Sequence, residues 1–266
     1  MKHLILSLLT LALAIPFAQA APRQTQFDHE HTALTQVLAK HMVGDRVDYR
    51  ALAKDEKTLK GYLAGLEAVT AAEFRLFSRQ QKFAFWINAY NGYTLKLVID
   101  KYPLDSIKDI GGLFSAGPWE KRFIELQHLA PQLGKKELNL ETIEHKILRP
   151  EFKDPRVHAA INCASVGCPP LRQEAFVAPR LEEQLAEQTK IWLGDPKRNS
   201  FDPKAKRVKV SKIFDWFSED FGKKDAKVLA WIAEHGPEES VGWLKTTSGV
   251  KLAYTTYDWD LNEVKR

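Results

Sequence analysis

The 266-residue chain holds two cysteines, Cys163 and Cys168, five positions apart in "VHAAINCASVGCPP" (157–170). A pair at this spacing admits two chemistries. Gly167 permits the tight turn that a Cα separation near ~5.5 Å requires, so the thiols can close a small disulfide loop in an oxidising compartment. Alternatively Cys163, leaving the end of a strand, is a nucleophile, which needs a base within hydrogen-bond reach to form thiolate at neutral pH. The sequence leaves both open. His158 is the nearest imidazole, yet along a fully extended strand it would lie roughly 16 Å from Cys163 and on the opposite face, so it can serve only if the strand ends in a sharp turn. His145 is the other candidate base.

The helix carrying His145 adds a third group. In "LETIEHKIL", Leu140, Ile143, Ile147 and Leu148 mark one buried face; at about 100° per residue Glu144 falls inside that face and His145 on its flank. A carboxylate turned into a core is costly unless paired. Either Glu144 forms a buried ion pair with a cation such as Arg156, or it orients an imidazole that activates Cys163 in the manner of a catalytic triad. In the first case Glu144→Gln should lower stability by roughly 3–5 kcal/mol. Asn88 and Asn91 stand at i, i+3 on an otherwise apolar helix, so their amides must pin neighbouring loops or supply an oxyanion donor. Tyr257, Asp258, Trp259 and Asn262 suit a terminal packing motif, with Asp258 an alternative orienter of the histidine. His145, His158, Cys163 and Cys168 are also conceivable zinc ligands, but C-x4-C lacks the usual C-x2-C knuckle and no second paired cluster exists, so neither metal nor cofactor is expected.

Positioning these residues requires a scaffold. "EHTALTQVLAKHM" and "DYRALAKDEKTLKGYLAGLEAV" have apolar residues at three- and four-residue spacing, the mark of amphipathic helices. "TAAE" (70–73) and "SRQQ" (78–81) are capping boxes; the second opens a helix from Arg79 to about Lys101, apolar nearly all round and hence buried, that Pro103 stops. "KRFIELQ" (121–127) is β-like. Asn139 caps the helix of Glu144, and Pro150 follows it. "RVHAAIN" and "RVKVS" read as strands; "PRLEEQLAEQTKIWL", "KIFDWFSEDFG" and "DAKVLAWIAEHG" read as helices; "KLAYTTYDWDLN" reads as strand and turn. Helices followed by mixed elements predict a single α+β domain, with N-terminal helices and a central buried helix packed on a mixed or antiparallel sheet.

Five stretches together, "FAFWINAYNGYTL" (83–95), "LNLETIEHKILRP" (138–150), "DPRVHAAINCASVGCPPL" (154–171), "SKIFDWFSEDFG" (211–222) and "YDWDLN" (257–262), resemble the DUF547 family. That family is distantly similar to papain-like and transglutaminase-like cysteine enzymes. The resemblance implies no settled activity.

At the N-terminus a short basic start, the apolar run Leu4 to Phe17 and the small-x-small triplet Ala18-Gln19-Ala20 follow the plan of a secretory signal peptide. The run is shorter than the roughly 20 residues of a membrane span. The expected organisation is a leader at 1–20, a helical segment at 21–70 and a DUF547-like α+β domain at 71–266, in a periplasmic or secreted protein with no membrane span after cleavage. A hydrophobic content of 44% supports a sizeable core, and a net charge of +5 is interspersed with acids. "KAKRVKV" (204–210) reads as an exposed strand, so nucleic acid is not an expected partner. The functional expectation is a Cys-His hydrolase or acyltransferase acting on a peptide-like or cell-envelope amide, with Cys163, His158, His145 and Glu144 as its residues. The alternative is a non-catalytic envelope binding domain stapled by Cys163–Cys168.

Overall fold

The computed structural model describes residues 26–111, 116–134 and 136–265. The leader expected at 1–20 lies outside them. The N-terminal part is helical: α1 Thr32–His41, a small antiparallel hairpin of β1 Met42–Val43 and β2 Arg46–Val47, then α2 Tyr49–Lys54, α3 Lys57–Glu67 and α4 Ala71–Leu76. The amphipathic stretch after Asp48 forms two helices. Asp48 caps α2 by accepting from the Ala51 N–H, and the Asp55 N–H closes back on the Leu52 carbonyl instead of propagating the helix.

α5, Arg79–Ile99, is the expected central helix. Both halves of its capping box form, with Ser78 accepting from the Gln81 N–H and the Gln81 side chain accepting from the Ser78 N–H. From Phe83 to Leu95 every residue is buried. Each large side chain removed from water here, such as Phe85 or Trp86, stabilises the fold by roughly 1.5–3 kcal/mol. α5 packs on α2, α3 and the helix bearing Glu144.

That helix opens as α6, Leu140–Thr142, with Asn139 Oδ1 accepting from the Thr142 N–H as expected, and continues as a π-helix, Ile143–Phe152. Pro150 lies inside it and does not end it. The wider turn spares the proline the close contact with the carbonyl four residues back that breaks an α-helix. "KRFIELQ" forms no strand, only a bridge between Ile124 and Leu138.

"RVHAAIN", expected as a strand, is instead the short helix α7, Val157–Ala160. Asp154 holds the preceding turn by accepting from the Arg156 N–H, and the carbonyls of Asp154, Pro155 and Arg156 accept from the next three amides. Two consecutive alanines favour the helical turn so begun.

A second cluster adjoins the first. It gathers α8 Leu181–Gly194, the strands β3 Ser200–Asp202 and β4 Arg207–Val210, the short α9 Ile213–Trp216, α10 Asp225–His235, α11 Glu238–Val241 and β5 Lys251–Tyr254. The sheet is mixed, in the order β3-β4-β5: Phe201 faces Val208 across an antiparallel pair, and Val208 faces Leu252 across a parallel one. Val208 and Val210 turn inward with Trp192, Phe214 and Ile232, while Arg207 and Lys209 point to solvent. The tail beyond β5 returns to the first cluster. There Leu261 bridges Ser165, Glu263 bridges Val47, and the Asn262 N–H donates to the Ala164 carbonyl. Helices and small sheets thus form one α+β domain. Among the described residues no helix is long and apolar enough to cross a membrane.

Candidate active site

The turn after α7 resolves the geometry of the cysteine segment. Ile161 is extended, and Ala164, directly after Cys163, adopts the left-handed conformation at φ 62°. This bend carries His158 and Cys163 to the same cleft, a cavity of about 210 Å³ that also receives Glu144, His145 and Cys168. All four residues expected to do chemistry therefore line one site.

Buried amides hold the bend. Asn91 on α5 donates to the Ala160 carbonyl and accepts from the Asn162 N–H, both at 2.9 Å. Asn162 in turn donates to the Pro169 carbonyl and accepts from the Ala164 N–H and from Asn262, whose Oδ1 accepts from Tyr49. Asn88 is spent on both backbone groups of Phe176. Arg198, buried, donates to the carbonyls of Val166 and Cys168. The asparagines of α5 thus pin loops. Gly167 has a different use from the one expected: a Cβ there would meet the backbone oxygen and nitrogen of Asp258 at 2.9 and 3.0 Å, so the residue is small because the tail crosses it.

Cys163 and Cys168 are joined as a disulfide, with Cα atoms 6.4 Å apart. Cys168 is buried, whereas Cys163 is only half-buried. The Tyr257 hydroxyl lies over the pair, donating to Cys168 Sγ at 3.1 Å, 3.3 Å from Cys163 Sγ, and accepting from Ser165 at 2.9 Å. Burial raises the tyrosine pKa, so the hydroxyl keeps its proton.

The two histidines differ in what remains free on the ring. Arg149, always a donor, bonds His145 Nδ1 at 2.6 Å, which occupies that ring's lone pair; burial and then the guanidinium hold its pKa down despite Glu141. His158 Nε2 meets Asp220 Oδ2 at 2.7 Å, and the carboxylate makes Nε2 the donor. Nδ1 is left as the basic nitrogen, with no partner among the described residues. Burial lowers the His158 pKa more than Asp220 raises it, so the ring is neutral and able to accept a proton. Burial would raise Asp220, but hydrogen bonds from His158 and Arg149 outweigh it and hold the carboxyl at about 2.

Glu144 is buried, as periodicity predicts, but its expected partners are elsewhere. Arg156 binds Asp154 and Glu182, and neither imidazole reaches Glu144. Its Oε2 accepts a single hydrogen bond, from Tyr90 at 3.3 Å. Asp258, the alternative orienter, turns its carboxylate to the Asp260 N–H, while its backbone carbonyl accepts from the Gly167 N–H. The residue that meets His158 is Asp220, which sequence reasoning missed. It lies within "SKIFDWFSEDFG", where the adjacent Glu219 and Asp220 give no spacing signal for which turns inward.

Among the described residues no three His, Cys, Asp or Glu side chains are grouped to hold a metal ion. The arrangement supplies a sulfur, a neutral imidazole with an ionised carboxylate behind it, a hydroxyl donor and a buried acid. No curated protein and no solved structure matches the chain. Residues 74–193 match the family described as "Protein of unknown function, DUF547", a span that contains Glu144, His145, His158 and both cysteines but ends before Asp220 and Tyr257. That span, under half of the chain, supports the resemblance to the DUF547 family.

Proposed function

We propose that the protein is a thiol-dependent hydrolase or acyltransferase acting on amide or related acyl bonds, with Cys163 as nucleophile, His158 as base and Asp220 as the residue that positions His158. The observation that carries this reading is the 2.7 Å His158–Asp220 contact in the cleft of Cys163. Two equivalents of a thiol reductant first convert the Cys163–Cys168 disulfide to two thiols, the reductant leaving as its own disulfide. His158 Nδ1 then takes the Cys163 proton, the thiolate adds to the carbonyl carbon, and Tyr257 donates to the oxyanion. Collapse breaks the C–N bond; the leaving amine takes the proton from His158, and a Cys163 thioester remains. Water or a second amine attacks the thioester, and the thiol regains its proton. Glu144 and His145 line the cleft in this scheme without serving as base or orienter. A cell-envelope amide fits the leader expected at 1–20; the protein recovered from its own cells then begins at Ala21.

The disulfide itself, with Cys168 buried, favours one other reading, a non-catalytic domain stapled by that bond. The two separate on the reduced protein. The enzyme reading expects iodoacetamide to alkylate Cys163 at pH 7 much faster than Cys168, and His158→Ala to slow that reaction about tenfold or more. A Cys163 no more reactive than a peptide thiol, or indifferent to His158→Ala, overturns it.

A further inference from the structure

Glu144 is 8% exposed, yet it lines the cleft. Its single hydrogen bond is the one from Tyr90, and Oε1 accepts none among the described residues. No cation is spent on it: Arg149 is bound to Asp220 and His145, and Arg156 to Asp154 and Glu182. An ionised carboxylate so placed lacks the partner that burial demands. The other groups facing it, Tyr90, Tyr257, Glu141, Asp220 and the neutral imidazoles, give it no positive charge, and only Arg149 favours its ionisation from a distance.

The wall around this carboxylate is aromatic. Trp216 stacks on Trp259 with centroids 5.7 Å apart and leans on Tyr257 at 4.8 Å, and Trp119 stands edge-on to Trp259 at 5.6 Å. Despite these contacts Trp216 is 45% exposed at the cleft, the largest apolar side chain left so open among the described residues. Trp259 already carries an ammonium, that of Lys108, 4.8 Å from its ring centroid. Aromatic faces beside one unpaired carboxylate form the pattern that recognises organic cations, since the ring quadrupole attracts the charge and the acid neutralises it.

We infer that the cleft binds an alkylammonium group between the Trp216, Tyr257 and Trp259 wall and the Glu144 carboxylate. As a statement about substrate it rests on the acyl-transfer reading, in which the amine is the leaving group or the acyl acceptor. As a statement about binding it stands apart, because it does not require a free Cys163 thiol.

The test uses the protein with its disulfide intact, titrated by calorimetry and tryptophan fluorescence with choline and with n-butylammonium, each against its neutral isostere, 3,3-dimethylbutan-1-ol and n-pentane. At least one cation should bind saturably at pH 8, at least tenfold tighter than its isostere. Glu144→Gln and, separately, Trp216→Ala should each weaken it about tenfold. Burial pushes the Glu144 pKa up to about 7, so affinity should fall roughly tenfold per unit below pH 7 as the carboxyl takes up a proton. Equal binding of a neutral isostere, indifference to Glu144→Gln, or no binding of either cation overturns the inference. None of these results bears on the alkylation of reduced Cys163, so the two readings fail separately.

Discussion

Replacing Glu144 by glutamine should stabilise the protein at alkaline pH and leave it nearly unchanged in acid, the reverse of the loss expected for a residue paired with Arg156. The folded protein holds this carboxyl at about 7 against an ordinary 4.5, chiefly because burial penalises the charged form. A raised acid pKa means that the folded state binds the proton more tightly than the unfolded chain. Stability is therefore full below pH 4.5 and is lost as pH rises through 7. The difference of 7 − 4.5 units amounts to about 3 kcal/mol once both states are ionised. Glutamine keeps an acceptor for the Tyr90 hydroxyl and cannot ionise, so it escapes the loss. The variant's advantage should be near zero at pH 4, about 1 kcal/mol at pH 5.5 and about 3 kcal/mol at pH 8. Urea unfolding of both proteins at these three pH values, without reductant, measures it; every other titration is shared and cancels. A Glu144→Gln protein less stable than its parent at pH 8, or an advantage that ignores pH, would refute the reasoning and show that the carboxylate has a cation partner.

Asp220→Asn removes a carboxylate whose folded pKa is lowered to about 2, so the stability it contributes, about 2 kcal/mol, is present above pH 3.8 and lost as pH falls through 2. The variant should unfold more easily at pH 6 by that amount, and the alkylation of reduced Cys163 should slow while its pH profile shifts, which a purely structural role would not produce. Gly167→Ala drives a methyl group into the Asp258 backbone; the tail should lift, the melting temperature should fall, and dithiothreitol should reduce the disulfide faster once Tyr257 no longer covers it. Asn91→Ala strands the Ala160 carbonyl and the Asn162 N–H in the core and should cost about 2–4 kcal/mol in chemical denaturation.

How much of this was legible in the chain depends on how local each signal is. α5 is visible because its cap, its length and its apolar coverage all lie within a short window. The burial of Glu144 is visible for the same reason, since four apolar neighbours set the phase of its helix and the phase survives the widening to a π-helix. The segment of His158 and Cys163 is where local reading fails: a short run of valine, alanine and isoleucine is compatible with strand or helix, and the turn at Asp154 decides it. Asp220 reaches His158 across 62 positions from a stretch of turns after α9, where no periodicity marks an inward face. Gly167 shows the same limit, because its neighbour is Asp258.

The tail that crosses the cysteine loop also sets an order of events during synthesis. Cys163 and Tyr257 are 94 positions apart, and Val47, the far anchor of the same tail, is made long before either. At about 5–20 residues per second the ribosome takes roughly 5–20 s to pass from the thiol to the hydroxyl that will cover it. Throughout that interval the nascent chain holds both sulfurs with no lid over them. An oxidant or alkylating reagent therefore meets a different Cys163 on the growing chain from the one it meets on the finished molecule, where the Tyr257 hydroxyl lies over the sulfurs.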